Sequence, residues 1–357
     1  MDKLVNWLVY FLFVPIALLY KAGISIRNKC YDRGLFTSHN FGIPIISIGN
    51  ITVGGTGKTP HTEYLIDILR KDFHIAVLSR GYKRTSNGFQ YVETDDSISK
   101  TGDEPLQIKR KYPDIVVAVD ADRVRGIKRL MSDGHSTDLI LLDDAFQHRR
   151  VRASLNIVLI DYNRPVWKDC MLPAGRLRDC LSSLYRADII VLTKCPANMS
   201  QDEKLGCLAK LEKYNKPIYF SHYKSGEAYP LSGSDKSAFD ASHLLALSGI
   251  ANPAVFLRQL EKQYPEAIIE QIVFPDHHNF SDGDVRHILT KAQLHTIVTT
   301  EKDGVRLISC FRKTRTRIPE HIYCIPIKVM FDDSKSFNIN IYNHVRQNKK
   351  NSGFYQN

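Results

Sequence analysis

The amino-acid sequence predicts an α/β protein with a doubly wound, mainly parallel sheet. Short apolar segments alternate along the chain with segments of helical spacing, as in βαβ units. Charged or polar residues directly follow most of the apolar segments. Ligand chemistry in open α/β sheets gathers at such carboxyl ends of strands. A glycine-rich turn after the first predicted strand adds a third and more specific signal.

The larger α/β unit comes first along the chain. Its predicted strands are 45–48, 74–78, 114–119, 138–142, 155–160 and 187–192, and its predicted helices are 62–70 and 123–131. Residues 85–103 are polar and lack periodicity, so they predict a loop or a small hairpin.

A second, smaller α/β unit is predicted from about residue 215. Its predicted strands are 244–247, 267–274 and 295–298, and its predicted helices are 252–262 and 281–292. The expected organisation is therefore an N-terminal segment over 1–35, the larger core over 36–214, the smaller subdomain over 215–347 and a polar, frayed tail over 348–357.

The glycine-rich turn has the order of a P-loop, which is a strand, a phosphate-binding loop and a helix. The predicted nucleotide-binding residues are Thr52, Val53, Gly54, Gly55, Thr56, Gly57, Lys58 and Thr59. Lys58 is placed to reach the β- and γ-phosphates, and the Thr59 hydroxyl to bind Mg²⁺. Thr52 stands where the general motif has glycine. The turn predicts a P-loop NTPase-like core; a glycine-rich turn with a chance Gly-Lys-Thr is the alternative.

Two acids follow the predicted strand 138–142. Asp143 and Asp144 have the form of a Walker B site, in which a buried strand carries a carboxylate to the Mg²⁺ that Thr59 also binds. Two solvated aspartates at a turn are the alternative. Thr193-Lys194 lacks the aspartate of a guanine-binding signature, which favours ATP over GTP.

Three further stretches carry candidate chemistry. Gly102-Asp103-Glu104-Pro105 provides carboxylates for a phosphoryl acceptor, or else starts a helix. The loop 172–179 carries Arg178 and Asp179, suited to γ-phosphate and Mg²⁺ respectively, or is an ordinary surface loop. The segment 274–280 carries two adjacent histidines, which favour a proton relay to a distant Asp over a shared metal; helix capping is the alternative.

Composition narrows the possible partners. The net charge of +11 and the pI of about 9.2 favour polyanionic partners such as anionic lipid or phosphorylated substrates. No zinc finger, RNP-like stretch or arginine-rich arm points to nucleic acid. The seven cysteines show no C-x-x-C pair, so neither a metal cluster nor a disulfide framework is expected.

The N-terminal segment predicts a membrane-associated helix. Residues 4–20 carry no charge and as a helix would span roughly 25 Å, slightly less than the ~30 Å hydrocarbon core. Pro15 would kink or end this helix. Basic residues then follow, suited to an anionic leaflet. A spanning or monotopic anchor, a buried core helix and a cleaved signal peptide are the alternatives.

Together these stretches resemble one family, the tetraacyldisaccharide 4′-kinases of lipid A biosynthesis. The motifs, in order, are G-N-x-T-V-G-G-T-G-K-T-P, S-R-G-Y, G-D-E-P, D-D-x-x-Q-H, L-P-A-G-x-L-R and F-x-D-H-H. They cover almost the whole chain, and the family shares the Thr52 departure from the general P-loop.

The resemblance implies an ATP- and Mg²⁺-dependent kinase bound to the cytoplasmic face of the bacterial inner membrane by its N-terminal anchor. It implies transfer of the γ-phosphate to the 4′-hydroxyl of tetraacyldisaccharide 1-phosphate, which forms lipid IVA. The expected partners are the acylated disaccharide lipid and the membrane surface, with no nucleic acid and no obligate protein partner. The rival hypothesis is a membrane-associated P-loop ATPase switch without a phosphoryl acceptor.

The resemblance also implies roles for individual residues. Catalytic roles fall to Asp103 as the general base, His277 as its partner, Lys58, and Arg178 near the γ-phosphate; metal binding falls to Thr59, Asp143, Asp144 and Asp179; substrate contacts fall to Arg80 and Tyr82. Many family members have Glu at position 179, so the shorter Asp side chain weakens its metal role. The choice between His277 and His278 stays open.

Overall fold

A computed structural model describes the backbone of residues 2–233, 239–292 and 295–352. Within these ranges the strands are β1 (Ile45–Gly49), β2 (Ile75–Ser79), β3 (Gln90–Tyr91), β4 (Val116–Val119), β5 (Leu139–Asp143), β6 (Leu155–Asp161), β7 (Ile189–Thr193), β8 (Ile218–Ser225), β9 (Tyr229–Pro230), β10 (His243–Ser248), β11 (Ile268–Val273), β12 (Thr296–Thr300), β13 (Ile322–Ile325) and β14 (Ile327–Phe331). The α-helices are α1 (Asp2–Asp32), α2 (Lys58–Leu69), α3 (Ile98–Thr101), α4 (Asp103–Lys111), α5 (Arg123–Ser132), α6 (Gln201–Leu211), α7 (Pro253–Gln263), α8 (Asp282–Ala292), α9 (Glu301–Thr314) and α10 (Ser334–Ser352).

The larger sheet has the strand order β14-β8-β7-β6-β1-β5-β2-β4-β3. The strands from β8 to β4 pair in parallel, and β14 and β3 add antiparallel edges. Every residue of β1, β2, β5 and β7 is buried, as expected where helices cover both faces of a parallel sheet. The predicted doubly wound, mainly parallel α/β fold is confirmed.

The smaller sheet has the order β11-β10-β12-β13-β9. Its first four strands pair in parallel, and the short β9 pairs antiparallel with β13. Residues of α8 and α9 pack on this sheet through a separate apolar cluster that includes Leu247, Ile288 and Phe311. The smaller subdomain therefore has a core of its own.

Sheet membership does not follow the predicted boundary between residues 214 and 215. β8 pairs in parallel with β7, and β14 pairs with β8, so both strands extend the larger sheet. Helix α10 packs there as well, since Phe337 and Ile341 belong to the larger apolar cluster. β8 belongs to the larger sheet because it completes an ordinary βαβ crossover from β7 through α6. The chain then leaves this sheet to form the smaller one and returns to it at β14.

Two segments differ in detail from expectation. Within 85–103, the predicted loop or hairpin contains the edge strand β3 and the short helix α3. The polar tail expected to fray from residue 348 continues α10 to Ser352, while residues 353–357 lie outside the described part of the chain.

Helix α1 packs on the larger unit through one side only. Ala17 and Asn28 are buried, whereas Leu18, Leu19 and Ile26 are more than half exposed. The side chains of residues 1–12, which carry most of the predicted apolar segment, lie outside the described part. Among the described residues, no helix combines the length and apolar character that crossing a membrane requires.

Candidate active site

The P-loop joins β1 to α2 at the carboxyl edge of the larger sheet. Gly57 is the last residue before α2 and has a φ of +89°. A Cβ there would lie 1.8 Å from the Tyr223 hydroxyl of β8. Only glycine satisfies both the left-handed backbone and this close approach. The loop sequence is therefore matched to one backbone path into the helix N-terminus.

Hydrogen bonds from neighbouring elements hold the loop in place. Asn50 donates from Nδ2 to Thr56 Oγ1 at 2.7 Å, and Thr193 at the end of β7 donates from Oγ1 to the Thr56 carbonyl at 2.9 Å. Lys194 Nζ donates to the Gly55 carbonyl. The predicted phosphate-binding loop is therefore held in one conformation by its neighbours, so a phosphate that bound there would need to order little of it.

Asp143 and Asp144, the acids expected to form a Walker B site, lie beside this loop because β5 pairs with β1, with Asp143 opposite Ile48. Asp144 receives both cations of the site. Lys58 Nζ is 3.7 Å from Asp144 Oδ2, and the Arg178 guanidinium donates to both of its oxygens. Burial opposes the charge on Asp144, but Lys58 and Arg178 outweigh burial and lower the pKa of its carboxyl.

Asp143 has the opposite environment. It is 2% exposed, and its Oδ1 has no hydrogen-bond partner among the described residues. Burial, together with the charges of Glu104 and Asp144, raises its pKa to about 7. A buried carboxylate with an unused oxygen and like charges around it is suited to a cation.

The described residues contain no group of three or more His, Cys, Asp or Glu side chains placed to bind a metal. The two carboxylates of Asp143 and Asp144, with the Thr59 hydroxyl, would suit Mg²⁺, because this ion commonly binds through one or two carboxylates, waters and substrate phosphates.

A second cluster joins the two sheets. Asp103 begins α4, and its Oδ2 is 3.2 Å from Nδ1 of His277, which follows β11. Gly102, with a φ of +91°, precedes Asp103, and a Cβ there would lie 3.1 Å from the Tyr82 carbonyl. The S-R-G-Y and G-D-E-P motifs therefore pack against each other. The predicted pairing of an aspartate with one of the two histidines is present in the structure.

The same geometry distinguishes the two histidines. His278 Nε2 contacts Asp284 Oδ2 at 3.0 Å, and its ring stacks on Phe274. Ser281 accepts a hydrogen bond from the amide of Asp284, so capping of α8 also occurs here. His277 alone of the two contacts Asp103, whereas His278 braces the start of α8.

Sequence reasoning missed two cations of this cluster. Arg306 of α9 donates to Asp103 Oδ2 from NH2 at 2.6 Å and from Nε at 3.2 Å. Lys302, at the start of α9, has its Nζ 3.2 Å from His277 Nε2 and 3.6 Å from Glu104 Oε1. Burial opposes ionisation of Asp103, but His277, Lys302 and Arg306 together lower its pKa well below the usual range.

The two predicted substrate contacts follow β2. The Tyr82 ring is exposed and lies edge-on to His277, with ring centroids 6.1 Å apart. Arg80 is exposed too. Arg123 at the start of α5 was not singled out from the sequence; it is buried near the charges of Asp143 and Asp144. A run of basic and polar residues at neighbouring strand ends is the signal that pointed to this edge.

The metal role expected for Asp179 does not fit its surroundings. Its Oδ1 accepts from Asn28 at 2.9 Å, from Ser183 at 2.6 Å and from the Cys180 amide at 2.9 Å. Its Oδ2 accepts from Arg186 at 3.0 Å. Both oxygens are used by protein donors, so Asp179 ties the arginine-bearing loop to α1. The sequence could not reveal this, because the partners lie far away along the chain.

Comparison with known proteins identifies the family. The model of a family described as tetraacyldisaccharide-1-P 4′-kinase matches residues 9–346. The chain belongs to this family. It is 42% identical over 367 residues to a tetraacyldisaccharide 4′-kinase of Phocaeicola vulgatus, a match that covers 99% of this chain and 98% of the relative. A tetraacyldisaccharide 4′-kinase of Porphyromonas gingivalis is 42% identical over 336 residues, covering 90% of this chain and 94% of the relative.

A solved structure shows the same fold. LpxK from Aquifex aeolicus in complex with ATP matches with a TM-score of 0.75 and 29% identity, over 94% of this chain and 99% of that chain. The family and the enzyme class predicted from the sequence, a kinase, are confirmed.

Proposed function

We propose that this kinase transfers the γ-phosphate of ATP to the 4′-hydroxyl of tetraacyldisaccharide 1-phosphate and so forms lipid IVA. One observation carries the proposal: Asp143 and Asp144, beside the P-loop, are neighbours of the Asp103–His277 pair. Glu104 lies close enough to Asp143 to raise its pKa, and Lys302 contacts both Glu104 and His277. A nucleotide site and a base for an acceptor hydroxyl therefore adjoin.

The nucleotide phosphates would bind over residues 52–59. In the described structure Lys58 and Arg178 share the single carboxylate of Asp144. Two cations on one carboxylate leave net positive charge for the γ-phosphate and for the charge that develops during transfer. The planar Arg178 guanidinium suits phosphate oxygens, and its contacts with Asn50 fix its direction.

Thr59, Asp143 and Asp144 would bind Mg²⁺. The unused Oδ1 of Asp143 and the raised pKa of its carboxyl support this assignment. Bound by these residues, Mg²⁺ would offset the negative charge of the phosphates during transfer. Asp179 has no part in the proposed metal site.

Asp103 is the proposed general base. Its lowered pKa keeps it ionised near neutral pH, so it is able to accept a hydrogen bond from the 4′-hydroxyl. An alcohol is a weak acid, and phosphoryl transfer depends mainly on positioning, so the proton leaves late. His277 shares Asp103 Oδ2 and provides an adjacent site for that proton. Tyr82 beside His277, and Arg80, are the proposed contacts of the disaccharide.

The exposed apolar face of α1 is the proposed contact with the membrane. Leu18, Leu19 and Ile26 lie in solvent in the described structure, which is costly unless lipid covers them. The net charge of +11 suits the anionic lipid of the cytoplasmic leaflet of the inner membrane, where ATP is available. An acylated substrate stays in the bilayer, so the enzyme must work at its surface.

The decisive experiment measures transfer of labelled γ-phosphate from ATP to tetraacyldisaccharide 1-phosphate in detergent micelles. We expect a phosphorylated lipid that disappears with Lys58→Ala. Release of free phosphate alone from the wild type would instead support a P-loop ATPase switch, a hypothesis that the family membership does not favour.

A second variant tests the base. Asp103→Ala should keep its affinity for ATP, since Asp103 belongs to the other cluster, and lose about 10²- to 10⁴-fold in kcat. Turnover near the wild-type rate would remove Asp103 from the mechanism.

A further inference from the structure

Arg306 is a buried cation that links the two sheets. It is 4% exposed and belongs to α9, which packs on the smaller sheet, whereas Asp103 begins α4 of the larger unit. Its guanidinium contacts Asp103, Asp303, the Gly249 carbonyl and His277. A charge at this depth is retained only where partners compensate it.

The contacts divide into two halves. On one side, Arg306 NH1 donates to Asp303 Oδ1 at 2.9 Å and to the Gly249 carbonyl at 3.0 Å. Asp303 is 0% exposed and also accepts from the Gly249 amide and the Thr300 hydroxyl. This half neutralises Arg306 within the smaller subdomain. Ion pairing there is therefore complete without Asp103.

On the other side, NH2 and Nε point out of the smaller subdomain at a single atom, Asp103 Oδ2. Asp103 Oδ1 instead accepts from the Glu104 amide at 3.0 Å and keeps a lone pair for another donor. The guanidinium thus fixes which carboxylate oxygen is occupied and which one faces the acceptor.

Lys302 and Arg306 contact the two nitrogens of the adjacent imidazole. Lys302 Nζ lies 3.2 Å from His277 Nε2. Arg306 NH2 lies 3.0 Å from Nδ1, which is also 3.2 Å from Asp103 Oδ2. The two cations therefore fix the position of the ring beside the Asp103 carboxylate.

We propose that Arg306 and Lys302 are positioning residues for phosphoryl transfer, which orient the Asp103–His277 pair and make its assembly depend on α9 packing against α4. This rests on the proposed function, since it takes Asp103 to be the base. Arg306 sets the direction of the carboxylate, and Lys302 holds the imidazole from its Nε2 side. Neither residue touches a reacting atom.

The test is a double-mutant cycle on kcat in the micelle assay, measured at steady state with the full chain. Arg306→Met should lower kcat about 10²-fold, as expected for misplacement of a reacting group, with the KM for ATP unchanged. In an Asp103→Asn background the same substitution should cost nothing further, because Arg306 acts through Asp103. Equal losses in the two backgrounds, or no loss in the wild-type background, would overturn the proposal.

Arg306→Lys guards against misfolding of the methionine variant. It keeps the buried charge but not the fork, so it should fold, bind ATP and recover only part of kcat. Full wild-type turnover in Arg306→Lys would reduce Arg306 to a structural charge. Arg312→Met is the matched control: this arginine is exposed on the same helix, and its side chain donates to the Thr94 carbonyl and not to the Asp103–His277 pair. Its kcat should stay unchanged.

Lys302→Met tests the second positioning residue. It should lower kcat in the wild-type background and have no added effect when His277→Asn is present. If Asp103→Asn alone retained full turnover, the base assignment of the proposed function would fail. If Asp103→Asn lowered kcat and Arg306→Met lowered it further in that background, only the positioning role of Arg306 would be overturned.

Discussion

Neighbouring carboxylates at the end of β5 behave in opposite ways because their surroundings differ. Asp144 meets Lys58 and Arg178, which lower the pKa of its carboxyl. Asp143 is enclosed beside other acids, which raises its pKa. Identical side chains one position apart thus differ in the free energy of ionisation, and this difference supports the proposed cation site at Asp143.

The raised pKa of Asp143 has a consequence for stability. Between the unfolded pKa of about 3.9 and the folded value of about 7, the folded protein binds more protons than the unfolded chain. The free energy of unfolding therefore falls as pH rises through this window. Asp143→Asn should be more stable than the wild type at pH 8 by about 2 kcal/mol, with a smaller difference near pH 5.

Thermal unfolding of ligand-free protein at both pH values checks this prediction. A difference that does not change with pH would contradict it. The same variant should lose kinase activity, because residues that a site needs for activity commonly destabilise the folded protein.

Asp179 gives a second test at this scale. Asp179→Asn leaves Arg186 without its buried counter-charge, so we expect a loss of about 3 kcal/mol in stability. The dependence of kcat on Mg²⁺ concentration should stay as in the wild type. Thermal unfolding and a Mg²⁺ titration measure the two effects, and a shifted Mg²⁺ requirement would restore Asp179 to the metal site.

The two sides of helix α1 have different surroundings. Besides the Asn28–Asp179 hydrogen bond, Tyr20 donates from its hydroxyl to the Arg178 carbonyl at 3.2 Å. Arg27 donates to the Gln147 carbonyl at 2.7 Å. One side of α1 therefore braces the loop of a proposed catalytic arginine, and the opposite side is apolar and exposed.

Deletion of residues 1–20 should separate these two roles. We expect weaker recovery in the membrane fraction, because apolar surface of α1 is lost. Nucleotide binding should persist, since residues 52–59 are held by Thr193 at the end of β7 and by the Arg176 carbonyl. Co-sedimentation with vesicles and a nucleotide-binding assay test this, and full membrane recovery would place the main anchor elsewhere.

At the scale of the whole molecule, charged contacts join the P-loop helix, the base helix and the smaller subdomain. Lys111 of α4 lies 2.6 Å from Glu63 Oε2 of α2 and 2.8 Å from Glu301 Oε1 of α9. Arg110 donates to the Val305 carbonyl at 3.1 Å. The residues of the proposed nucleotide and acceptor sites are therefore carried by elements that share one interface, and movement of α9 would displace Lys302 and Arg306 together.

Lys111→Met should weaken this interface in a pH-dependent way. Burial and the Glu301 charge already raise the pKa of Glu63 to about 7, and loss of Lys111 removes a cation that opposes this. We expect a loss of about 2 kcal/mol in stability at pH 8 and less near pH 5, where Glu63 takes up a proton. Thermal unfolding of Lys111→Met and the wild type at the two pH values measures this loss of stability, and an equal loss at both would contradict the prediction.

The fold class, the P-loop, the acids after β5 and the family could all be predicted from the amino-acid sequence. These features are local: a strand, a glycine-rich turn and a helix must follow one another, and strand ends collect the polar residues. Hence Asp103 and His277, which lie 174 positions apart, were expected to pair through family resemblance and not through spacing.

The side-chain contacts between the two sheets could be seen only in the folded protein. β8 and β14 belong to the larger sheet. His278 contacts Asp284 and not Asp103, and Asp179 accepts a hydrogen bond from Asn28 of α1. Arg306 contacts Asp103 across 203 positions. A buried charge is compatible with many partners, and the choice among them is fixed by packing, because sequence patterns report periodicity along an element but not its distant neighbours.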